Sequence, residues 1–203
     1  MPRAGLTTEV LTRAAADLAD EAGLEAVTLS ALARRFDVKV ASLYAHVAGA
    51  DDLRLRVAML SHTEIADATA EAVAGLAGRE ALHALADAYR DHARAHPGRS
   101  AAARLPLTPQ QAAAGDGVRT SRLTAATLRG YGLDEAATVH AVRLVGSVLH
   151  GFVSLEASGG FGHSTPGAEE SWRAAIDALD AALRHWPTTP LATPANPAPG
   201  ADR

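Results

Sequence analysis

The 203-residue chain has no cysteine. Disulfides and thiolate metal sites are therefore excluded, which fits a reducing compartment. Aromatic side chains make up only 4%, so Leu, Val and Ala must fill any core. Strand-type runs rich in Val, Ile, Thr and Tyr are missing. There is no run of 18 apolar residues and no apolar N-terminal signal segment, so the expectation is a soluble, cytoplasmic protein with no membrane contact. Positive charge is scarce as well. The net charge is -4, and within residues 1–60 seven basic side chains face eight acidic ones, a balance of -1. Bulk charge therefore gives no reason to expect nucleic-acid affinity.

Hydrophobic residues, by contrast, reach 48%, enough for a sizeable core. Long Ala/Leu/Arg/Glu stretches point to an all-α protein, because Ala, Leu, Arg and Glu are strong helix formers. Val10, Leu11, Ala14, Ala15, Leu18 and Ala22 recur at helical spacing, with Thr7 or Thr8 as N-cap and Gly23 as stop. Thr28 caps a second helix with the apolar stripe Leu29, Leu32, Ala33 and Phe36, and Arg34 and Arg35 project outward. Asp37-Val38 breaks it. A short third helix is expected over 39–46, then a fourth capped by Asp51 or Asp52. Further helices are expected over about 79–96, 101–105, 118–131, 134–157 and 168–186, separated by Gly and Pro breaks. The domains read as 1–50, a helix-turn-helix unit; 51–186, a helical ligand-binding and dimerisation unit; and 187–203, a disordered Pro-rich tail.

Residues 23–53 have the spacing of a helix-turn-helix, a unit that lays one short helix in the DNA major groove. With Leu29, Leu32, Ala33, Val38 and Leu43 buried, Lys39, Val40, Ala41, Ser42 and Ala45 face outward. Lys39 can reach a phosphate or a guanine edge, Val40 and Ala41 can touch thymine methyls, and Ser42 can bond to base or phosphate. Arg34, Tyr44 and His46 suit phosphates. The helix start at Thr28 offers a hydroxyl and backbone N–H groups to another.

The stretch from Val10 to about Val57 resembles the N-terminal domain of the TetR family of transcriptional regulators. The matching residues are Ala14, Ala15, Gly23, Val27-Thr28, Leu32-Ala33, Val38, Ser42-Leu43-Tyr44, His46-Val47 and Asp51-Asp52-Leu53. Two positions depart from the family pattern. Asp37 stands where Gly is frequent, and Ala50 replaces a Lys that precedes the fourth helix. Leu149-His150-Gly151 resembles the Trp-His-Gly signature of one subgroup, with Leu149 in place of Trp. The resemblance implies a homodimer that binds a double-stranded DNA operator and a small-molecule effector of unknown identity. It further implies a repressor that the effector releases.

Two long apolar helices, 134–157 and 168–186, carry more apolar positions than one buried face needs. They are expected to pair across a two-fold axis. Candidate effector-lining residues are Tyr89, His92, Leu123, Leu128, His150, Phe152 and Phe161. No cofactor is expected. His92 and His96 stand four apart, but neither Cys nor HExxH accompanies them, so no metal is assigned. Ser154 and His150 share a face without a nucleophile elbow, and Gly159-Gly160-Phe161-Gly162 follows a helix rather than a strand. An enzyme is therefore not expected. The rival reading is a small-molecule-binding helical protein with weak or lost DNA binding.

Overall fold

The computed structural model describes residues 5–187. The Pro-rich tail read from the sequence falls almost wholly outside them. Among the described residues the fold is all-α, without a strand. Helix α1 spans Thr8–Ala22, α2 Leu29–Phe36, α3 Val40–Leu43, α4 Ala50–Ala72 and α5 Gly78–Ala95. Helices α6 (Pro97–Ala102), α7 (Pro109–Ala114), α8 (Gly117–Thr127), α9 (Glu135–Ala157) and α10 (Ala168–Arg184) follow.

Local chemistry sets these boundaries. The Thr7 hydroxyl accepts from Val10 N, Thr28 from Ala31 N, and Asp134 from Ala137 N, each satisfying an orphan N–H of a first turn. Gly23 ends α1 at φ 86°, a conformation a side chain would strain. Asp37 ends α2 in the left-handed region at φ 53°, so Asp does here what Gly does elsewhere.

Some expectations need correcting. Helix α3 is shorter than 39–46, with Lys39 as its N-cap and Tyr44 as its C-cap. Helix α4 is capped by Gly49, not by an aspartate. Asp52 sits inside the first turn and accepts from Ala48 N at 2.9 Å. The chain re-enters a helix at Pro97 rather than at 101, since Pro is well suited to a first helical position. The Thr108–Gln111 capping box, with Pro109 at the start, builds α7, a helix the apolar pattern does not announce.

Two cores result. The first joins Leu11, Ala15, Ala19, Val27, Leu32, Leu43 and Val47 to Leu53, Val57 and Ala58 of α4 and Ala102 of α6. It therefore runs past residue 50 and ties the helix-turn-helix to the rest of the chain. The second packs Leu82, Leu85 and Ala86 of α5 against Leu128, Val145 and Leu149 and against Trp172, Ile176 and Leu183 of α10. Arg90, 2% exposed, cross-links this second unit. Its guanidinium bonds Glu156 at 2.7 and 3.0 Å and Glu169 at 2.8 Å, and it lies 4.9 Å from the Trp172 ring centroid. Helix α9 is long and apolar enough to cross a membrane by length and composition, with mean hydropathy 1.3 and 22% of that stretch buried. Its buried side packs into the helical core through Ala141, Val145, Leu149 and Val153. Its outer side shows Val139, Leu144 and Leu155 at 46%, 37% and 53% exposure.

Candidate DNA-binding face and effector cavity

In the N-terminal unit the key question is which polar groups remain free. Four cations are occupied by carboxylates. Arg13 pairs with Glu9, Arg35 with Glu21, Arg54 with Glu25 and Asp51, and Arg56 with Asp52. Among the described residues up to α4, Arg34 and Lys39 are the cations without an ion pair. Both are exposed, and Lys39 is the chain's single lysine. Lys39 stands at the start of α3. Ala41, Ser42 and Ala45 are exposed on the same short segment. Tyr44 is 60% exposed, a large aromatic surface left outside the core.

Three predicted residues sit differently from the sequence reading. Val40 is half-buried against the first core, so its methyls are only partly presented. The Thr28 hydroxyl already accepts from Ala31 N as a helix cap, and its O–H is the group it can offer to a phosphate. His46 is half-buried, and its carbonyl accepts from Thr8 Oγ1 at 2.9 Å, which ties the end of the α3 segment to α1.

The N-terminal unit is fastened to the C-terminal helices at the α5–α6 corner. Gly98 lies so close to α1 that a Cβ there would fall 2.0 Å from the Ala19 carbonyl carbon. Asp20 of α1 accepts from Arg99 N at 2.9 Å and bonds His96 Nδ1 at 3.0 Å. Arg99 also reaches Asp17 at 2.6 Å and Glu64 of α4 at 3.2 Å. Behind it His92, 9% exposed, bonds Ser61 Oγ of α4 at 3.3 Å. Burial, aided by His96 and Arg99, pushes the His92 pKa down to about 4, so the ring is neutral near pH 7.

A cavity of about 170 Å³ opens among α4, α5, α8 and α9. Ile65, Leu85, Val142, Val145 and Leu149 give it apolar walls, and His62, Thr69, Tyr89, Thr120, Ser121, Thr124 and His150 add polar groups. Of the candidates read from sequence, Tyr89 and His150 line it, with their rings 5.2 Å apart. The others do not. His92 faces Ser61 and the α6 corner. Leu128 is fully buried in the second core, and Leu123 is half-buried outside the cavity lining. Phe152 and Phe161 stack on each other at 4.6 Å, and Phe152 meets Trp172 at 5.0 Å. Phe152 misses the cavity because two residues beyond His150 a helix has turned by about 200°. His62, Thr69 and the α8 hydroxyls were missed. Their signal was helical spacing: 62, 65 and 69 share one face of α4, and 120 and 124 one face of α8.

An exposed short helix after a tight turn, free cations beside it, and a separate cavity-bearing helical unit define the class of helix-turn-helix regulators. The comparisons with known proteins narrow this. Residues 11–57 match the family described as bacterial regulatory proteins, tetR family, and residues 82–179 match the tetracyclin repressor-like C-terminal domain. The chain is 33% identical over 160 residues to YobS of Bacillus subtilis, an uncharacterized HTH-type transcriptional regulator, covering 79% of this chain and 84% of YobS. It is 37% identical over 160 residues to Rv0681 of Mycobacterium tuberculosis, described in the same words, covering 77% of this chain and 72% of Rv0681. The fold superposes on Streptomyces coelicolor ActR in complex with (S)-DNPA with a TM-score of 0.65, at 21% identity over 90% of this chain and 98% of that one. The chain belongs to the TetR family of transcriptional regulators, whose members regulate transcription rather than catalyse a reaction.

Proposed function

We propose that the protein is a homodimeric operator-binding repressor that a small molecule releases from DNA. The observation that carries this reading is the free chemistry around α3. Tyr44 is exposed, and Arg34 and Lys39 are unpaired, while their neighbouring arginines are held by carboxylates. Lys39, Ala41 and Ser42 would read base edges, with half-buried Val40 at the margin. Arg34, Tyr44, His46 and the Thr28 hydroxyl would hold phosphates. With so few cations, a single copy would bind weakly, so two copies on half-sites ~34 Å apart are required. Val139, Leu144 and Leu155 of α9 are exposed, as are Ala174, Ala178 and Ala181 of α10, which supports pairing through these two helices. The Leu149-His150-Gly151 segment fits the Trp-His-Gly subgroup, with its His on the cavity wall.

The domain division at about residues 50 and 186 assigns recognition to the first unit and effector binding to the second. The protein acts in the cytoplasm, where its operator lies. Effector in the cavity shifts α4 against the Gly98 corner and respaces the two α3 helices. The coupling is reciprocal: DNA weakens effector binding by the same factor. A mobility shift on DNA from the protein's own promoter region tests the reading. A saturable, salt-sensitive shift that Tyr44→Ala abolishes supports it. A folded dimer that shifts no promoter fragment sinks it and leaves a ligand-binding protein without DNA.

A further inference from the structure

The cavity's polar groups are hydroxyls and imidazoles, none of which carries a negative charge near pH 7. Among the described residues the Tyr89 hydroxyl has no hydrogen-bond partner, although the residue is only 9% exposed. His62 has no partner either. His150 donates Nδ1–H to Gly146 O at 3.1 Å, which leaves Nε2 unbonded. No Asp or Glu lines the cavity. Arg104, which donates to Ser100 O at 3.2 Å and makes no ion pair among the described residues, lies close enough to act on both Tyr89 and His150. The Tyr89 hydroxyl can donate, each imidazole can donate from Nε2 once it takes up a proton, and with no carboxylate in the lining and Arg104 nearby the site favours an anion over a cation. The volume sets the size, since a 150 Å³ apolar cavity holds benzene.

We propose that the effector is a compact carboxylic acid, a body of about six to ten non-hydrogen atoms whose carboxylate meets His62, Tyr89 and His150. Its apolar body rests on Ile65, Leu85, Val145 and Leu149. The proposal rests on reading this half of the chain as an effector domain. Desolvation holds half-buried His62 and the more exposed His150 below the usual imidazole range, with His150 opposing charge on His62 and Arg104 opposing charge on His150. The titratable and charged groups facing this pair are Tyr89 from α5 and Arg104 after α6. Helix α8 presents only hydroxyls. A carboxylate between the rings reverses the bias, so binding at pH 7 takes up protons.

The test uses three matched probes on the full-length protein: benzoate, benzyl alcohol and benzylamine. Calorimetry in two buffers of different ionisation enthalpy reads affinity and proton uptake together. Benzoate is expected to bind at least tenfold more tightly than benzylamine, with proton uptake. Tyr89→Phe and His150→Gln, checked for folding by thermal melts, each cut that preference severalfold. Equal binding of benzylamine overturns the proposal, as does absence of benzoate binding at millimolar concentration. Benzoate preference that survives both substitutions overturns it too. An operator shift run in parallel separates the two readings. DNA binding without benzoate binding removes the ligand class alone, and benzoate binding without DNA binding removes the regulator.

Discussion

Gly98→Ala is the most demanding perturbation the structure offers. The added Cβ would lie 2.0 Å from both the carbonyl carbon and oxygen of Ala19 and 2.5 Å from Asp20 N. Ordinary contact begins at 3.4 Å, so α1 and α6 must part by about 1.4 Å. The obstacle is backbone, so no rotamer change relieves it. Parting the helices stretches the Asp20 bonds to Arg99 N and His96, now 2.9 and 3.0 Å. Overpacking costs about 1–3 kcal/mol, and a backbone clash belongs at the top of that range. The helix preference for Ala over Gly returns about 1 kcal/mol. The net loss is about 2 kcal/mol, a fall in Tm of about 4–8 °C for a chain of this size. Thermal denaturation followed by circular dichroism measures it. A variant as stable as the parent refutes the reasoning. A second arm probes the cause: Ala19→Gly should not rescue Gly98→Ala, because the clash is with the Ala19 carbonyl rather than its methyl. Rescue would show that the helices touch through side chains.

Tyr44→Ala should change stability by less than about 0.5 kcal/mol, because the ring is already 60% exposed, while operator affinity falls at least tenfold; unfolding of the variant would assign Tyr44 to packing. Lys39→Ala should lower the slope of log affinity against log salt by about one unit per protomer, and an unchanged slope would mean that Lys39 touches no phosphate. Acidification should weaken the fold through His92. The unfolded ring binds a proton near pH 6.5 and the folded one only near pH 4, so stability is level above about 6.5 and falls between 6.5 and 4. The loss should approach about 3 kcal/mol, and in urea titrations the stability difference between the parent and His92→Gln should stay constant above pH 6.5 and move by that amount against the parent between 6.5 and 4. Arg90→Ala leaves the Glu156 carboxylate to Arg94 alone, 2.9 Å away, and should cost about 1.5–3 kcal/mol; a loss under about 0.5 kcal/mol would show that Arg94 and water satisfy Glu156 by themselves.

Much of this protein was legible in the chain alone. The cap at Thr28, the cap at Thr7 of the two threonines the sequence offered, and the stop at Gly23 follow from side-chain oxygens meeting orphan N–H groups and from a glycine's freedom at positive φ. Neither needs a distant partner. The all-α fold and the helix-turn-helix spacing followed from periodicity in the same way. Where local signals competed, the sequence misled. Asp51 and Asp52 looked like caps, but Gly49 took that place and Asp52 turned back to Ala48. Only the tertiary structure decided which arginines are free. Arg35 and Arg34 are adjacent in sequence, yet Glu21, fourteen residues before Arg35, engages one and leaves the other. The cavity is a tertiary fact as well. His62, Tyr89, Thr124 and His150 come from four helices, and a helix turns about 100° per residue. A displacement of two positions therefore sends Phe152 to Trp172 while His150 faces the cavity. Periodicity says that a face exists; the packing of one helix on another says what that face meets.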